Sequence, residues 1–254
     1  MTEAPNRAAL VTGAAHRIGR SIAFDLAAKG VAVGIHYGTS DTAAHTVVDT
    51  IKAHGGKACA VKADLSQEND VRKLVPETAR ALDAPIDILI NNASIYEEDT
   101  LQTFTNVSWD RHQKINLLAP LILMQCMADK LPETSAGAII NIIDQRVLKL
   151  NPQYMSYTTT KAALWAATKT AAQALAPNIR VNAIGPGPTL ANGQQTDDDF
   201  TKEAAAVPLG KGPVPEEIAR AVGFILEAPA MTGQMIALDG GQHLAWRTAD
   251  IPKD

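Results

Sequence analysis

The chain is poor in cysteine and has no surplus of basic residues, and both shortages exclude classes of protein. Its 254 residues contain two cysteines, Cys59 and Cys126, which do not form a CxxC pair. Structural disulfides are typical of secreted chains, so this pattern predicts reduced thiols and a cytoplasmic protein. The formal net charge is −4, whereas nucleic-acid binding needs a concentrated basic surface. We therefore expect a small molecule, and no nucleic acid, as the partner.

Long apolar runs and metal-binding motifs are also lacking. No apolar stretch approaches the length of a membrane span, so we expect no membrane association. The histidines are His16, His36, His45, His54, His112 and His243. They form no HExxH motif and no cluster with cysteine, so we predict no catalytic metal and expect them on the surface or in loops.

What the chain does contain is a regular alternation of short apolar runs and amphipathic stretches. The predicted strands are Ala8–Val11, Val31–Ile35, Ala58–Val61, Ile86–Ile90, Ala138–Ile143, Ile179–Ile184 and Met235–Leu238. The predicted helices are Ile18–Lys29, Asp41–His54, Glu68–Leu82, Trp109–Lys130, Ser156–Leu175 and Glu216–Leu226. Uniformly apolar strands are buried on both faces. We therefore predict one α/β domain over residues 1–254, a Rossmann-type doubly wound sheet of seven mostly parallel strands with helices on both faces.

One long segment, Pro186–Asp199, shows neither the apolar run of a buried strand nor the amphipathic pattern of a helix. A loop of that length inside a compact domain is more often functional than idle. We interpret its three final aspartates, Asp197–Asp199, as a solvated loop tip.

The first predicted strand runs into a glycine-containing turn that opens a helix. Its sequence is Val11-Thr12-Gly13-Ala14-Ala15-His16-Arg17-Ile18-Gly19-Arg20. Small residues let the backbone approach a pyrophosphate, and the helix N-terminus offers unpaired N–H groups to it. An ordinary turn between a strand and a helix is the alternative. The context favours a dinucleotide site at Gly13, Ile18 and Gly19.

The end of the second predicted strand bears on cofactor choice. NAD-binding members of such folds usually place an acid there, which accepts hydrogen bonds from the ribose 2′-hydroxyl. Here the sequence reads His36-Tyr37-Gly38-Thr39-Ser40, with no acid before Asp41. Hydroxyl groups can donate hydrogen bonds to a 2′-phosphate, whereas a carboxylate would repel it. We therefore predict that the cofactor is NADPH and that its contacts include His36, Tyr37, Thr39 and Ser40.

Tyr157 and Lys161 form a YxxxK motif at the start of a predicted helix. A spacing of four places both side chains on one helical face. A free tyrosine titrates near 10, and a lysine cation one turn away is expected to lower that pKa. The pair therefore predicts a general acid working near neutral pH.

Together these motifs resemble the short-chain dehydrogenase/reductase family, from Ala8 to about Arg247. Arg17 replaces the middle glycine of the family's TGxxxGxG turn, as in pteridine and dihydromonapterin reductases, where it can lie against the cofactor phosphates. The resemblance implies a cofactor half at about 1–150 and a catalytic half at about 151–254. It adds further cofactor contacts at Asp64, Leu65, Asn92, Ala93, Ser94, Tyr157, Lys161, Pro186, Gly187 and Thr189.

The resemblance also implies a catalytic set of Asn116, Asp144, Tyr157 and Lys161. Most of the family has serine at the position of Asp144, whereas the pterin-reducing branch has aspartate. An ionised aspartate opposes the charge that develops on a carbonyl oxygen, so Asp144 suits reduction of C=N better than C=O. The implied substrate contacts are Arg17, Ser94, Tyr96, Asp144, Tyr154, Tyr157 and Leu190. A tolerated core asparagine at Asn116 and a half-buried loop tyrosine at Tyr96 remain the plainer alternatives.

The sequence therefore predicts an NADPH-dependent pteridine reductase in which Tyr157 gives the proton. The first alternative is a carbonyl reductase acting on a ketone or a 3-oxoacyl substrate, and fold alone does not separate the two. The second is an NADP-binding protein without catalysis, against which the intact Tyr157 and Lys161 argue. The family resemblance implies a homotetramer.

Overall fold

Seven strands lie side by side in one sheet, in the order β3-β2-β1-β4-β5-β6-β7, and every pairing is parallel. The computed structural model of the chain describes residues 7–192 and 195–246, so Arg247 and both ends of the predicted domain lie outside the described residues. The strands are β1 (Ala8–Val11), β2 (Ala32–Tyr37), β3 (Ala58–Lys62), β4 (Ile88–Asn91), β5 (Gly137–Ile142), β6 (Ile179–Pro186) and β7 (Met235–Leu238). The predicted sheet of seven strands is confirmed, and it is wholly rather than mostly parallel.

Helices cover both faces of this sheet, which confirms the predicted doubly wound class. They are α1 (Arg17–Ala28), α2 (Asp41–Ala53), α3 (Glu68–Leu82), α4 (Asn106–His112), α5 (Ala119–Lys130), α6 (Met155–Leu175), α7 (Asp197–Ala205) and α8 (Pro215–Glu227). One apolar cluster packs α1, α2 and α8 against the sheet, and the other packs α3, α5 and α6 against the opposite face. Strands β1, β2, β4 and β5 are buried at every residue, as uniformly apolar runs require.

The predicted helix Trp109–Lys130 differs from the observed one in both start and geometry. It begins at Asn106, where the Thr105 hydroxyl caps it by accepting from the backbone N–H of Ser108. It then widens into a π-helix over Gln113–Leu118 before continuing as α5. Such π-bulges are rare and occur often at functional sites.

The interpretation of Asp197–Asp199 as a loop tip is wrong. These residues form the first turn of α7, and Thr196 and Asp199 close a capping box in which each side chain accepts from the other's backbone N–H. Carboxylates are stabilised at a helix N-terminus by the macrodipole, which favours three aspartates here. The segment between β6 and α7 is accordingly shorter than predicted, and its residues 193–194 lie outside the described part of the chain.

Two histidines contradict the expected surface or loop placement. His36 lies within β2 and His112 ends α4, and both side chains are buried. His112 bonds the Ser108 carbonyl through Nδ1, and its Nε2 accepts from the backbone N–H of Glu97. Burial is possible because each ring nitrogen has a backbone partner. Within residues 7–192 and 195–246, no helix is long and apolar enough to cross a membrane.

The position of the site follows from the topology of the sheet. Strand β1 lies between β2 and β4, so the chain reverses its direction of winding at β1. The carboxyl ends of the strands beside such a switch point enclose a crevice in which open α/β sheets bind ligands.

Candidate active site

A cleft of about 1260 Å³ opens at the carboxyl ends of the strands. Both halves of the chain line it, and it contains twenty of the residues singled out in the sequence. These are Gly13, Arg17, Ile18, Gly19, His36, Thr39, Ser40, Asp64, Leu65, Asn92, Ala93, Ser94, Tyr96, Asp144, Tyr157, Lys161, Pro186, Gly187, Thr189 and Leu190. The structure thus brings most of the predicted cofactor and substrate contacts into one continuous space.

Three predicted contacts do not line the cleft. Tyr37 turns into the core, and its hydroxyl donates to Oδ1 of Asp41 at 2.5 Å. The Tyr154 ring lies against Tyr96, with centroids 4.0 Å apart and planes 11° apart. Asn116 is fully buried and bonds Ile95 and Thr160. Tyr37 and Tyr154 thus contact other protein groups beside the cleft, and their direct contacts with a ligand stay a prediction.

The turn after β1 approaches the loop after β4 very closely. Gly13 has a φ of +64°, which favours glycine, and a Cβ at Gly19 would lie 2.4 Å from the Gly13 carbonyl oxygen. The Asn92 amide donates to the carbonyls of Thr12 and Gly13 at 2.8 and 3.2 Å. His16, at the N-cap of α1, makes no side-chain capping bond. The turn therefore leaves the N-terminus of α1 open toward the cleft, as an anionic group requires.

His36 holds this turn in place. The backbone N–H of Gly13 donates to Nδ1 of His36 at 3.0 Å, and Nε2 lies 3.2 Å from the carbonyl oxygen of Ala63. These partners require the neutral tautomer with its proton on Nε2. Burial lowers the pKa of His36 to about 4, although the bond to Ala63 acts in the opposite direction. His36 thus borders the cleft mainly as a bridge between the ends of β1 and β3.

Arg17 occupies a backbone conformation that normally suits glycine, with a φ of +54°. Its Nη1 donates to the carbonyl of Ala191 at 2.6 Å, and its Nη2 donates to that of Leu190 at 3.1 Å. The side chain therefore spans from the turn after β1 to the segment after β6. The contact of Arg17 with cofactor phosphates stays a prediction, and the structure shows its guanidinium bonded to the segment after β6.

The end of the cleft beside β2 includes Lys62, which sequence reasoning missed. Lys62 ends β3 and pairs in register with Tyr37, so it lies near Thr39 and Ser40. Lys62 reaches this end of the cleft because β3 pairs with β2. The order of strands in the sheet is not given by local sequence patterns, so this position could not be predicted.

Tyr157 and Asp144 form the polar centre of the cleft. The Tyr157 hydroxyl donates to Oδ2 of Asp144 at 2.8 Å, and the backbone N–H of Arg146 donates to Oδ1 at 2.7 Å. Burial raises the pKa of Asp144 above its ordinary value. Burial, followed by the negative charge of Asp144, raises the pKa of Tyr157 well above 10. The pKa of Tyr157 is therefore shifted in the opposite direction to the one expected from Lys161, because burial and Asp144 dominate in this state of the protein.

Lys161 lies one helical turn beyond Tyr157 and is almost fully buried. Its Nζ donates to the Ile142 carbonyl at 2.9 Å and lies 5.6 Å from the centroid of the Tyr157 ring. Burial lowers the pKa of Lys161 to about 8. The lysine is thus fixed by the end of β5 and faces the same cleft as the tyrosine.

Asn116 acts on the loop after β4. Its Nδ2 donates to the carbonyl of Ile95 at 2.9 Å, and its Oδ1 accepts from the backbone N–H of the same residue at 2.8 Å. Asn116 lies in the π-helix, between the two α-helical segments. This two-bond clamp fixes the loop that carries Ser94 and Tyr96 into the cleft.

An aromatic group borders the substrate end of the cleft. The Tyr96 ring meets the Tyr157 ring edge-on, with centroids 4.7 Å apart and planes 86° apart. Nη2 of Arg146 donates to the Tyr96 hydroxyl at 3.1 Å. Arg146 was not predicted, because a lone arginine in a short turn carries no sequence pattern that points to a tyrosine fifty residues away.

The fold and the cleft together define a class of protein. A wholly parallel doubly wound sheet, a glycine-containing turn after β1 and a tyrosine–lysine pair in the cleft beside the end of β5 are the features of short-chain oxidoreductases. The family model described as short chain dehydrogenase matches residues 7–202. The chain therefore belongs to the short-chain dehydrogenase family.

Individual relatives cover nearly the whole chain. A crystal structure of FolM alternative dihydrofolate reductase 1 from Brucella suis, in complex with NADP, is 49% identical, covers 97% of this chain and 99% of that one, and has a TM-score of 0.94. An oxidoreductase of Methylorubrum extorquens whose reaction is uncharacterised is 37% identical over 95% of this chain and 99% of its own. A 3-oxoacyl-[acyl-carrier-protein] reductase of Staphylococcus epidermidis is 33% identical over 94% of this chain and 100% of its own. The relatives thus include both a dihydrofolate reductase and a carbonyl reductase.

Proposed function

We propose that the protein is an NADPH-dependent reductase of a C=N bond in a dihydropterin. The observation that carries this proposal is the hydrogen bond from the Tyr157 hydroxyl to Asp144, at the position where most of the family has serine. The similarity to a dihydrofolate reductase that binds NADP supports the same assignment.

The residues of the cleft fit the cofactor. The open N-terminus of α1 suits a pyrophosphate, and Gly13 and Gly19 allow the turn before it to pack tightly against the loop after β4. Thr39 and Ser40 suit a 2′-phosphate. Asp64 and Leu65 would hold the adenine, and Lys161 would hold the nicotinamide ribose. Pro186, Gly187 and Thr189 would hold the nicotinamide. When bound, NADPH supplies the hydride.

The proton comes from the pair formed by Tyr157 and Asp144. Burial keeps the phenol protonated and raises the pKa of Asp144, so the pair retains a proton that a donor needs. An aspartate that can ionise opposes a developing alkoxide, whereas it tolerates a ring nitrogen that takes a proton. The pair therefore favours reduction of C=N.

The aromatic border of the cleft suits a flat substrate. Tyr96 is supported from behind by Tyr154 and edge-on by Tyr157, so its ring has a fixed orientation. Aromatic pairs contribute about 0.5–1.5 kcal/mol beyond burial. Arg17, Ser94 and Leu190 line the same space and complete the proposed substrate contacts.

A carbonyl reductase is the second candidate. The similarity to a 3-oxoacyl-[acyl-carrier-protein] reductase favours it, as does the tyrosine–lysine pair that ketone reduction in this family employs. Asp144 is the residue that separates the two candidates. A third reading, NADP binding without catalysis, is opposed by the intact Tyr157 and Lys161.

The test is a side-by-side assay of a dihydropterin and a simple ketone with NADPH. We expect turnover of the dihydropterin and competitive inhibition by methotrexate-like pteridines. Good turnover of the ketone together with none of the dihydropterin would assign the carbonyl reductase. Tight NADPH binding without turnover of either substrate would favour the protein without catalysis.

We also propose that the protein works in the cytoplasm as a homotetramer, with residues of about 1–150 holding the cofactor and about 151–254 shaping the substrate end. Phe224 on α8 is 56% exposed, which suits a helix face that packs against another subunit. Light scattering of the purified protein, which gives the molar mass in solution, tests the tetramer.

A further inference from the structure

Arg146 connects several groups at the substrate end of the cleft. It lies in the 3-10 turn Gln145–Val147, directly after β5. Nη2 donates to the Tyr96 hydroxyl at 3.1 Å, and Nη1 donates to Oδ1 of Asn151 at 2.7 Å. The guanidinium carbon is 5.2 Å from the centroid of the Tyr154 ring, which is cation–π distance. One side chain thus holds both members of the tyrosine stack.

The backbone of the same residue holds the acid. The N–H of Arg146 donates to Oδ1 of Asp144, while the Tyr157 hydroxyl donates to Oδ2. Asp144 therefore has both oxygens bonded, one to each neighbour. Because this backbone bond survives substitution of the side chain, the influence of the guanidinium can be measured separately from it.

Among the described residues, the guanidinium has only neutral hydrogen-bond partners. Within residues 7–192 and 195–246, no carboxylate lies within ion-pair distance of it. The charged or titratable groups that face Asp144 are Arg146 itself, Tyr157 and Lys161 on α6, and Tyr96 on the loop after β4. The positive charges of Arg146 and Lys161 both favour the ionised form of Asp144, against the effect of burial.

We infer that Arg146 is a positioning residue with two separable roles in the proposed reaction. Its planar fork orients Tyr96 as the platform for the substrate, and its charge sets the pH range over which the Asp144–Tyr157 pair keeps its proton. This inference rests on the proposed function for the identity of the substrate, although not for the existence of the two roles.

Two substitutions separate these roles. Arg146→Lys keeps the charge and loses the fork, whereas Arg146→Met loses both. We expect both variants to raise KM for the dihydropterin by about tenfold, the size of effect of losing a hydrogen bond to a charged group. Arg146→Met alone should move the alkaline limb of the kcat profile upward, by about one pH unit, since an acid without a neighbouring cation keeps its proton to higher pH.

A double-mutant cycle tests whether Arg146 acts through Tyr96. Tyr96→Phe keeps the ring and removes only the hydroxyl that Nη2 reaches. If the fork acts through that hydroxyl, Arg146→Met combined with Tyr96→Phe raises KM no more than the larger single change. Fully additive effects on KM would show that the two residues act independently and would overturn the platform role.

Arg180→Met is the matched control. Arg180 is likewise a partly buried arginine, but its guanidinium donates to the backbone carbonyls of Met231 and Ile225, and it lies outside the cleft. We expect this variant to lower the Tm without changing KM or the pH profile. Loss of Tm in the Arg146 variants, with KM and the pH profile unchanged, would reduce Arg146 to a structural role.

The outcome also separates this inference from the proposed function. A wild-type protein that ignores dihydropterins and reduces a ketone contradicts the proposed function, and the same variants are then measured on the ketone. The pH shift of Arg146→Met and its rescue by lysine are expected there too. Their absence on the substrate that the wild type does turn over overturns the charge role.

Discussion

The hydroxyl of Tyr157 donates to Oδ2 of Asp144 at 2.8 Å, so the proposed proton donor is directed at an acid and not at a serine hydroxyl. Each partner changes the other: the charge of Asp144 raises the pKa of Tyr157, and the bond from Tyr157 moderates the effect of burial on Asp144. Two interacting groups of this kind titrate as a pair. The chemistry of the site therefore depends on both residues together.

Replacing Tyr157 by phenylalanine removes the hydroxyl and keeps the ring. We expect kcat to fall by roughly 10²–10⁴-fold, as for loss of a general acid. NADPH affinity, measured by fluorescence titration, should change little, since the ring still packs edge-on against Tyr96. Near-normal turnover of the Tyr157→Phe protein would contradict the proposed mechanism.

Lys161 is expected to affect both binding and turnover. Its amino group is buried between the Ile142 carbonyl and the Tyr157 ring, and it faces the cleft. Lys161→Met keeps most of the packing volume and removes the charge, so NADPH affinity and kcat should both fall, with little change in Tm. If Lys161→Met loses turnover but binds NADPH as tightly as the wild type, the proposed contact between Lys161 and the ribose is contradicted.

The sequence predicts the frame of this molecule well and its polar contacts only in part. Strands β1 and β7 and helix α3 have their predicted bounds, because apolar runs and amphipathic periods are local. Helix α7 was missed, since none of its described residues is buried and no apolar period marks it. The pKa direction of Tyr157, the tie from Arg17 to the segment after β6, and the contact of Arg146 with Tyr96 depend on burial or on distant residues.

The cofactor preference follows from the end of β2. No acid precedes Asp41 there, and that carboxylate already accepts from the Tyr37 hydroxyl. We expect NADPH to bind at least about tenfold more tightly than NADH, a difference of about 1.4 kcal/mol. Nucleotide fluorescence titrations measure both dissociation constants under the same salt conditions. Equal affinities, or a preference for NADH, would overturn the assignment.

The lowered pKa of His36 predicts that the folded protein loses stability in mild acid. Its pKa in the folded protein is about 4, below the 6.5 of an unperturbed histidine, so the unfolded chain binds the extra proton first. Stability is thus complete above pH 6.5 and declines as the pH falls toward 4, by about 2–3 kcal/mol from this group at pH 4.5.

Urea unfolding at pH 7 and pH 4.5 measures this effect. His36→Gln should be less stable than the wild type at pH 7 and lose less stability in acid, because glutamine does not titrate. His54→Gln is the matched control, since His54 is exposed. Wild type and His36→Gln losing the same stability between the two pH values would contradict this role of His36.

The substrate class is tested most directly at Asp144. Asp144→Ser places at this position the hydroxyl that most of the family carries, and removes the acceptor of the Tyr157 proton. We expect turnover of a dihydropterin to fall, because a buried ring nitrogen left without its partner costs about 1–3 kcal/mol. Reduction of a simple ketone should rise, since a serine donates to a developing alkoxide that an aspartate opposes.

Tyr96→Ala is the companion change and should raise KM for the dihydropterin alone. The comparison is therefore a ratio, the kcat/KM for the dihydropterin over that for the ketone, in wild type and in both variants. A ratio that Asp144→Ser leaves unchanged would show that Asp144 does not select the C=N bond.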